Sequence, residues 1–282
     1  MQMQRWELKY VIPEELALAL REFVSSYLEI DEYGAKRPNL SYSIHNLYLD
    51  SDDLRIYWGT INGDKNRYKL RLRFYADNPN PQAPVFFEIK RRMNDAILKQ
   101  RCGVHRPAVE AVLAGQLPEP QELVGQDARQ LVAIQRFIEL SSDVRAHPVA
   151  HVSYDREAWI SPHDNSVRVT FDRNVLISPE FTARFTSEMD DPTLVFGSMV
   201  VLELKFTGRF PDWFADMVRV FGLRQGSASK YADGIALKGE RHFLQDPAVS
   251  GGFREVGLAA ERRQARLFRL AKWLGRPGLA QA

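Results

Sequence analysis

Cysteine is nearly absent from this chain: Cys102 stands alone among 282 residues. No internal disulfide can form, and such cysteine usage fits a reducing, cytoplasmic setting. Long hydrophobic runs are missing as well. With no stretch of about 18 apolar residues, the sequence offers no candidate membrane-spanning helix. The opening Met1-Gln2-Met3-Gln4-Arg5-Trp6-Glu7 lacks the apolar core of a signal peptide. A large charge of one sign is also lacking. The net charge of +2 argues against a generally basic nucleic-acid coat. Neither Gly-x-x-x-x-Gly-Lys-Ser/Thr nor Gly-x-Gly-x-x-Gly occurs, so P-loop and Rossmann nucleotide binding are not expected. His147 and His151 have helical spacing, but Pro148 between them spoils a helical metal pair.

What is present is an ordinary globular composition, 45% hydrophobic and 26% charged, in a chain long enough for one large domain or two small ones. Within it the segment Arg67-Tyr68-Lys69-Leu70-Arg71-Leu72-Arg73-Phe74-Tyr75 places a cation at every odd position up to Arg73. Two-residue alternation means a strand with two chemically different faces. Four like charges on one face repel each other and weaken pairing. Water, neighbouring carboxylates or a bound polyanion must compensate.

Other segments alternate in the same way. Arg5, Glu7 and Lys9 share a face opposite Trp6, Leu8 and Tyr10. Glu88 and Lys90 oppose Val85, Phe87 and Ile89, while Lys99 and Arg101 share a face in the next strand. Arg156 lies on the face of Tyr154. Arg168, Thr170 and Asp172 form one polar set, and Glu203 and Lys205 oppose Leu202, Leu204 and Phe206. A single charged face is commonly a solvated face. Seven such strands, rich in Arg and Lys with few carboxylates, point to a cationic surface relieved by a bound polyanion.

Helical periods separate the strands. Pro13-Glu14-Glu15 opens a helix to about Tyr27, and Ser51-Asp52-Asp53 caps a short one to about Ile61. Residues 107–140 read as a helical insertion, marked by Val109, Val112 and Leu113 and then by Leu131, Ile134, Phe137 and Ile138. Asn78-Pro79-Asn80-Pro81 reads as a loop, residues 194–206 as one strand, and Pro211-Asp212-Trp213 as the start of a helix. Residues 1–248 make one α+β domain. The expected form is a closed antiparallel β-barrel with helices packed outside and the charges inside, because cations in a dry core are too costly. Residues 249–282 are a basic amphipathic tail, with Arg262, Arg263, Arg266, Arg269 and Lys272 opposite Leu267, Leu270, Trp273 and Leu274. Such a tail can lie on an anionic membrane, dock on a membrane-protein partner or pack on its own domain.

The ordered set Arg5-x-Glu7-x-Lys9-Tyr10, Asn46-Leu47-Tyr48-Leu49-Asp50-Ser51, Lys69-Leu70-Arg71-Leu72-Arg73 and Phe87-Glu88-Ile89-Lys90 resembles the VTC domain. Tyr154-Asp155-Arg156, Val167 to Asp172, Leu202 to Phe206 and Ser229-Lys230-Tyr231 continue it. This is the catalytic domain of vacuolar transporter chaperone polyphosphate polymerases, within the CYTH-like triphosphate tunnel enzymes. The resemblance covers residues 4–238. It implies a triphosphate tunnel that extends polyphosphate with the γ-phosphate of ATP and a divalent metal, Mn²⁺ or Mg²⁺. It also implies Lys9, Arg71, Arg73, Lys90 and Lys230 as catalytic cations and Glu203 as the metal carboxylate. Substrate contacts are expected from Arg5, Lys69, Lys99, Arg101, Arg156, Arg168 and Lys205. Arg5 departs from the Glu-x-Glu-x-Lys pattern of the hydrolytic relatives, which counts against tripolyphosphate hydrolysis.

The residues suit phosphoryl transfer, whose catalysis rests on positioning and charge neutralisation. Arg71 and Arg73 offer paired forked donors, while Lys9, Lys90 and Lys230 offer point charges. Plainer roles stand beside these: Glu203 as an ion-pair partner of an interior Arg, Lys230 as a solvated lysine, and Gly226-Ser227-Ala228-Ser229 as a loop and cap. A hydrolase of the same fold and a non-catalytic polyphosphate-binding module remain alternatives. Nucleic acid is not expected. Single-stranded RNA would want aromatics among the cations, and Tyr68 and Phe74 fall on the opposite face.

Overall fold

The structure is a computed structural model that describes residues 5–75, 80, 83–94, 96–125, 127–164 and 166–245. The tail expected over residues 249–282 lies outside them, as does most of the Asn78 to Pro81 loop. In chain order the elements are β1 (Arg5–Ile12), α1 (Glu14–Ser25), β2 (Glu29–Ile30), β3 (Ser41–Asp50), α2 (Arg55–Ile61), β4 (Asn66–Phe74), β5 (Val85–Met93) and β6 (Ala96–Val104). Then follow α3 (Val109–Leu113), α4 (Ala128–Val144), β7 (His147–Ile160), β8 (Val167–Pro179), β9 (Thr193–Leu194), β10 (Val200–Thr207), α5 (Asp212–Val220) and α6 (Lys230–Lys238). The charge-alternating segment is β4, and the helical insertion falls between β6 and β7. The single strand expected over 194–206 is divided, because the chain turns through Gly197 at φ 57° between β9 and β10.

All strands join one antiparallel sheet in the order β1-β10-β8-β7-β3-β4-β5-β6, with β2 added on β7 and β9 on β8. The closed barrel expected from the sequence does not form. The sheet is open, and β1 and β6 are its two edges. It curls far enough for Lys90 on β5 to reach Glu7 on β1, Nζ to Oε1 2.9 Å. Closing the ladder would need the edges to approach to about 4.8 Å. The concave side is crowded with long cationic side chains whose mutual repulsion opposes that last step.

Apolar positions set the layers. On the convex side α4 buries Ala133, Ile134, Phe137 and Leu140 against β4, β5 and β6, with Phe137 edge-on to Phe87 at 5.0 Å between ring centroids. Leu131, expected on that stripe, is exposed. Helices α1 and α5 cover β1, β10 and β8 through Leu20, Val24, Phe214 and Met217. Helix α6 closes one end of the concavity with Tyr231 and Ile235 among Tyr48, Val152 and Ile177.

Asp50, fully buried at the end of β3, ties these layers together. Its carboxylate accepts from the backbone N–H of Ser51, Ile56 and Tyr57, each at 2.8 Å, and from the Tyr231 hydroxyl at 2.6 Å. The sequence assigns the cap of α2 to Ser51-Asp52-Asp53. Ser51 does accept from the Arg55 N–H, but Asp50 supplies the buried share. Burial pushes the Asp50 carboxyl up, against those four donors. Asp50→Ala should therefore strand three N–H groups and one hydroxyl. A loss of about 3 kcal/mol is expected, read as a lower urea midpoint at unchanged slope.

Candidate functional site

The concave face encloses a cavity of about 1480 Å³. Among the described residues its lining includes thirteen Lys and Arg side chains against two carboxylates, Glu7 and Glu203. Strand pleating explains this concentration. Lys69, Arg71 and Arg73 alternate on β4 with Leu70, Leu72 and Phe74, which face the buried convex core. The same rule brings in Lys9, Lys90, Lys99, Arg101, Arg156, Arg168 and Lys205. Lys230, the first residue of α6, enters from the closed end. Every site residue inferred from the sequence lines this cavity except Arg5. Its backbone opens β1 opposite Thr207, and its side chain lies outside the described residues.

Four strand carboxylates, each buried or nearly so, hold most of the cations in place, and Asp31, just past β2, pairs with Arg168 at 3.2 Å. Glu88 takes Arg71 through Nε at 2.8 Å and Nη2 at 2.6 Å, and lies 2.8 Å from Lys99 Nζ and 3.6 Å from both Arg73 and Arg101. Asp172 accepts a two-pronged bond from Arg156, at 2.7 and 2.6 Å, and pairs with Lys230 at 2.7 Å. Glu203 gathers Lys9 at 3.0 Å, Lys230 at 3.3 Å, Arg156 at 3.6 Å and Lys205. Glu7 takes Lys90 and Lys9. The sequence placed all four on the charged faces, but the anchoring role of Glu7, Glu88 and Asp172 was not assigned. Their alternation with the cations was the available signal.

The remaining contacts fix individual heads. Ser229 caps α6 by accepting from the Ala232 N–H and holds Lys69 Nζ at 2.6 Å, so the loop-and-cap role is observed and extended. Lys9 Nζ donates to the Ala228 carbonyl at 3.0 Å. Tyr48 stacks on Tyr231 at 4.6 Å between centroids and accepts from Arg71, and Arg156 and Lys230 lie over the Tyr154 ring. Those ring faces are already covered, which leaves them closed to stacking bases. Lys36 and Arg37 also line the mouth. They sit in a turn between β2 and β3, where no periodicity could have flagged them. His147 and His151 both lie on β7 and do not pair with each other; His151 Nε2 meets His45 Nδ1 at 3.0 Å on the buried side.

Burial and charge pull the site's protons in opposite directions. Despite burial, which raises them, the surrounding cations hold Glu88 and Glu203 well below the ordinary carboxylate range. Burial, aided by Arg156, pushes Lys205 down to about 8 against the pull of Glu203. Burial, with Arg73 and Arg71, likewise pushes Lys99 down to about 7 against Glu88. Against burial, Arg156 and Arg73 draw the Tyr154 phenol down to about 8.

No three His, Cys, Asp or Glu side chains converge as a metal cage among the described residues. Glu7 and Glu203 do converge, both on Lys9 Nζ, at 3.3 and 3.0 Å. The Lys9 ammonium occupies the space between them, so a hard divalent ion held mainly by phosphate oxygens could share these two carboxylates only with Lys9 moved aside.

Among protein-family models the chain matches the VTC domain over residues 4–238. It is 23% identical over 248 residues to vacuolar transporter chaperone complex subunit 4 of Schizosaccharomyces pombe, an alignment covering 74% of this chain and 34% of that protein. The chain thus spans about a third of that relative's length. Of solved structures, the PH1819 protein from Pyrococcus horikoshii OT3 matches at TM-score 0.43 and 13% identity, over 83% of this chain and 99% of that one. The Schizosaccharomyces pombe Mediator head module matches at TM-score 0.37 and 8% identity, over 78% and 92%. Likenesses that distant carry no weight for function.

Two outcomes follow from this geometry. Glu88→Gln leaves Arg71, Arg73, Lys99 and Arg101 without their shared counter-charge. It should destabilise the empty protein by about 3 kcal/mol, and added tripolyphosphate should restore most of the loss in a melting assay. Lys205 and Lys99 have folded pKa values below their unfolded ones, so their contribution to stability rises with pH between about 7 and 10. A bound polyanion favours their charged forms. Tripolyphosphate affinity should therefore fall as pH rises from 7 to 9, with proton uptake on binding in calorimetry across buffers of different ionisation enthalpy.

Proposed function

We propose, since this chain belongs to the VTC domain family, that it is an ATP:polyphosphate phosphotransferase, extending a polyphosphate chain inside the cationic cavity. The observation that carries the reading is the thirteen-to-two excess of cations over carboxylates around one enclosed space, in a chain whose net charge is only +2. A linear polyanion is the ligand that relieves such an excess along its whole length.

The reaction asks little covalent chemistry of the protein. The terminal oxygen of the acceptor phosphate is already ionised, so in-line attack on the γ-phosphorus needs no general base. Arg71 and Arg156, locked by Glu88 and Asp172, and Arg73, held by the Asn46 side-chain oxygen at 3.1 Å, present preorganised guanidinium edges to equatorial phosphate oxygens. Lys9 and Lys230 both pair with Oε1 of Glu203 and supply point charges as negative charge moves to the leaving ADP. Lys69, Lys90, Lys99, Arg101, Arg168 and Lys205 line the path of the remaining phosphates. Glu203, with Glu7, would hold a Mn²⁺ or Mg²⁺ ion, which supplies further neutralisation of the triphosphate when bound.

The fungal relative is by name a subunit of a complex, and a protein partner is proposed here on that likeness. No helix among the described residues is long and apolar enough to cross a membrane.

Incubation with ATP and Mn²⁺ or Mg²⁺ should yield ADP and an acid-labile polymer visible on a gel, with any lag shortened by short-chain primer. Release of orthophosphate alone, at a rate indifferent to primer, would make the protein a hydrolase. Glu203→Gln should abolish metal-dependent turnover, while anion affinity measured without metal changes by less than about tenfold.

A further inference from the structure

Two of the cations around the cavity have no place on the phosphate path drawn above. Lys36 and Arg37 stand neither on a strand nor on α6. They lie exposed at the mouth, in the turn between β2 and β3.

Asp31 builds that turn. One of its carboxylate oxygens accepts from the Gly34 N–H at 2.9 Å. The other accepts from the Tyr42 hydroxyl at 2.8 Å and from Arg168 Nη2 at 3.2 Å. Backbone bonds from the Ala35 N–H to the Asp31 carbonyl, and from the Arg37 N–H to the Gly34 carbonyl, both at 2.9 Å, wind the segment tightly. A Cβ at Gly34 would stand 2.7 Å from the Leu40 carbonyl oxygen, so the turn closes on itself. Arg168 and Glu29 stand opposite the same residue of β7, Ile160, which sets Arg168 beside the turn.

Arg168 is held more loosely than Arg71 or Arg156. A single nitrogen meets Asp31, where the other two make two-pronged bonds, and its Nε is buried with no hydrogen-bond partner among the described residues. Glu32, the other acid at this turn, lies against the Tyr33 hydroxyl and does not line the cavity.

We propose that this turn, together with Arg168, is a second phosphate site. It takes the part of a phosphate polymer lying outside the cluster around Glu88, Asp172 and Glu203, and makes the protein prefer long chains to short ones. The proposal rests on the polyphosphate reading above. A triphosphate held at Arg71, Arg73, Arg156 and Lys230 has no further phosphates to bring to the mouth. A longer chain does, and each added charge can be met by Lys36, Arg37 and the loosely held Arg168. Because the turn is fixed before binding, those contacts cost little further ordering.

The test compares tripolyphosphate, ATP and long-chain polyphosphate on the full chain without metal, by calorimetry. Lys36→Ala/Arg37→Ala should weaken the long polymer about tenfold while tripolyphosphate and ATP stay within about twofold. For the long polymer, the slope of log affinity against log salt should shrink by about 1.4, as two phosphate contacts are lost. Asp31→Asn, which weakens the hold on the turn without touching its cations, should shift the same preference in the same direction. Equal loss for all three ligands, or no loss for any, overturns the site and leaves the polyphosphate reading standing. A loss confined to ATP overturns it as well, since the mouth would then serve a nucleoside. If the unsubstituted protein binds neither tripolyphosphate nor the polymer, both readings fall.

Discussion

Like-charge crowding on the concave face is the constraint on which the rest of the molecule depends. Thirteen cations around one cavity cannot be buried without counter-charge, nor left to repel across a closed sheet. The protein answers in two ways. It plants Glu7, Glu88, Asp172 and Glu203 among the cations, and it leaves the sheet open at one seam. The carboxylates are too few to neutralise the face, so a positive surplus persists where a ligand can reach it. On the proposed function, that surplus is what would draw a phosphate polymer in.

The same carboxylates set geometry. Arg71 and Arg156 would swing freely on a wet surface. Held by two-pronged bonds to Glu88 and Asp172, they keep fixed edges toward the cavity at little further entropic cost on binding. Lysines serve differently. Lys205 and Lys99, with depressed pKa values, hold part of their charge in reserve until an anion draws it out.

Much of this was legible in the residue order. A period of two is rigid geometry, so Lys69, Arg71 and Arg73 had to share a face, and the ordered set from Glu7 to Lys230 pointed to one cavity. The closure of the sheet was not legible, because alternation fixes which way a side chain points but not whether two edge strands meet. Leu131 was misplaced because the apolar stripe of α4 runs instead through Ala133, Ile134, Phe137 and Leu140. Lys36 and Arg37 lie in a turn, where position owes nothing to periodicity. The cap of α2 was assigned to the loop residues, while the buried share comes from Asp50 inside the preceding strand.

Asp50 also links two timescales of failure. Its bond to the Tyr231 hydroxyl holds the start of α6, and Lys230 is the neighbouring residue. The strands of the sheet are secured by long ladders, whereas α6 is nine residues long and is held through side chains alone, its first six residues all buried. On warming, the helix should loosen before the sheet. The site would lose Lys230, the cap that holds Lys69 and the carbonyl that holds Lys9 together, while the β signal of the protein remained intact. Heat inactivation would then begin as a local event at one helix, distinct from global denaturation.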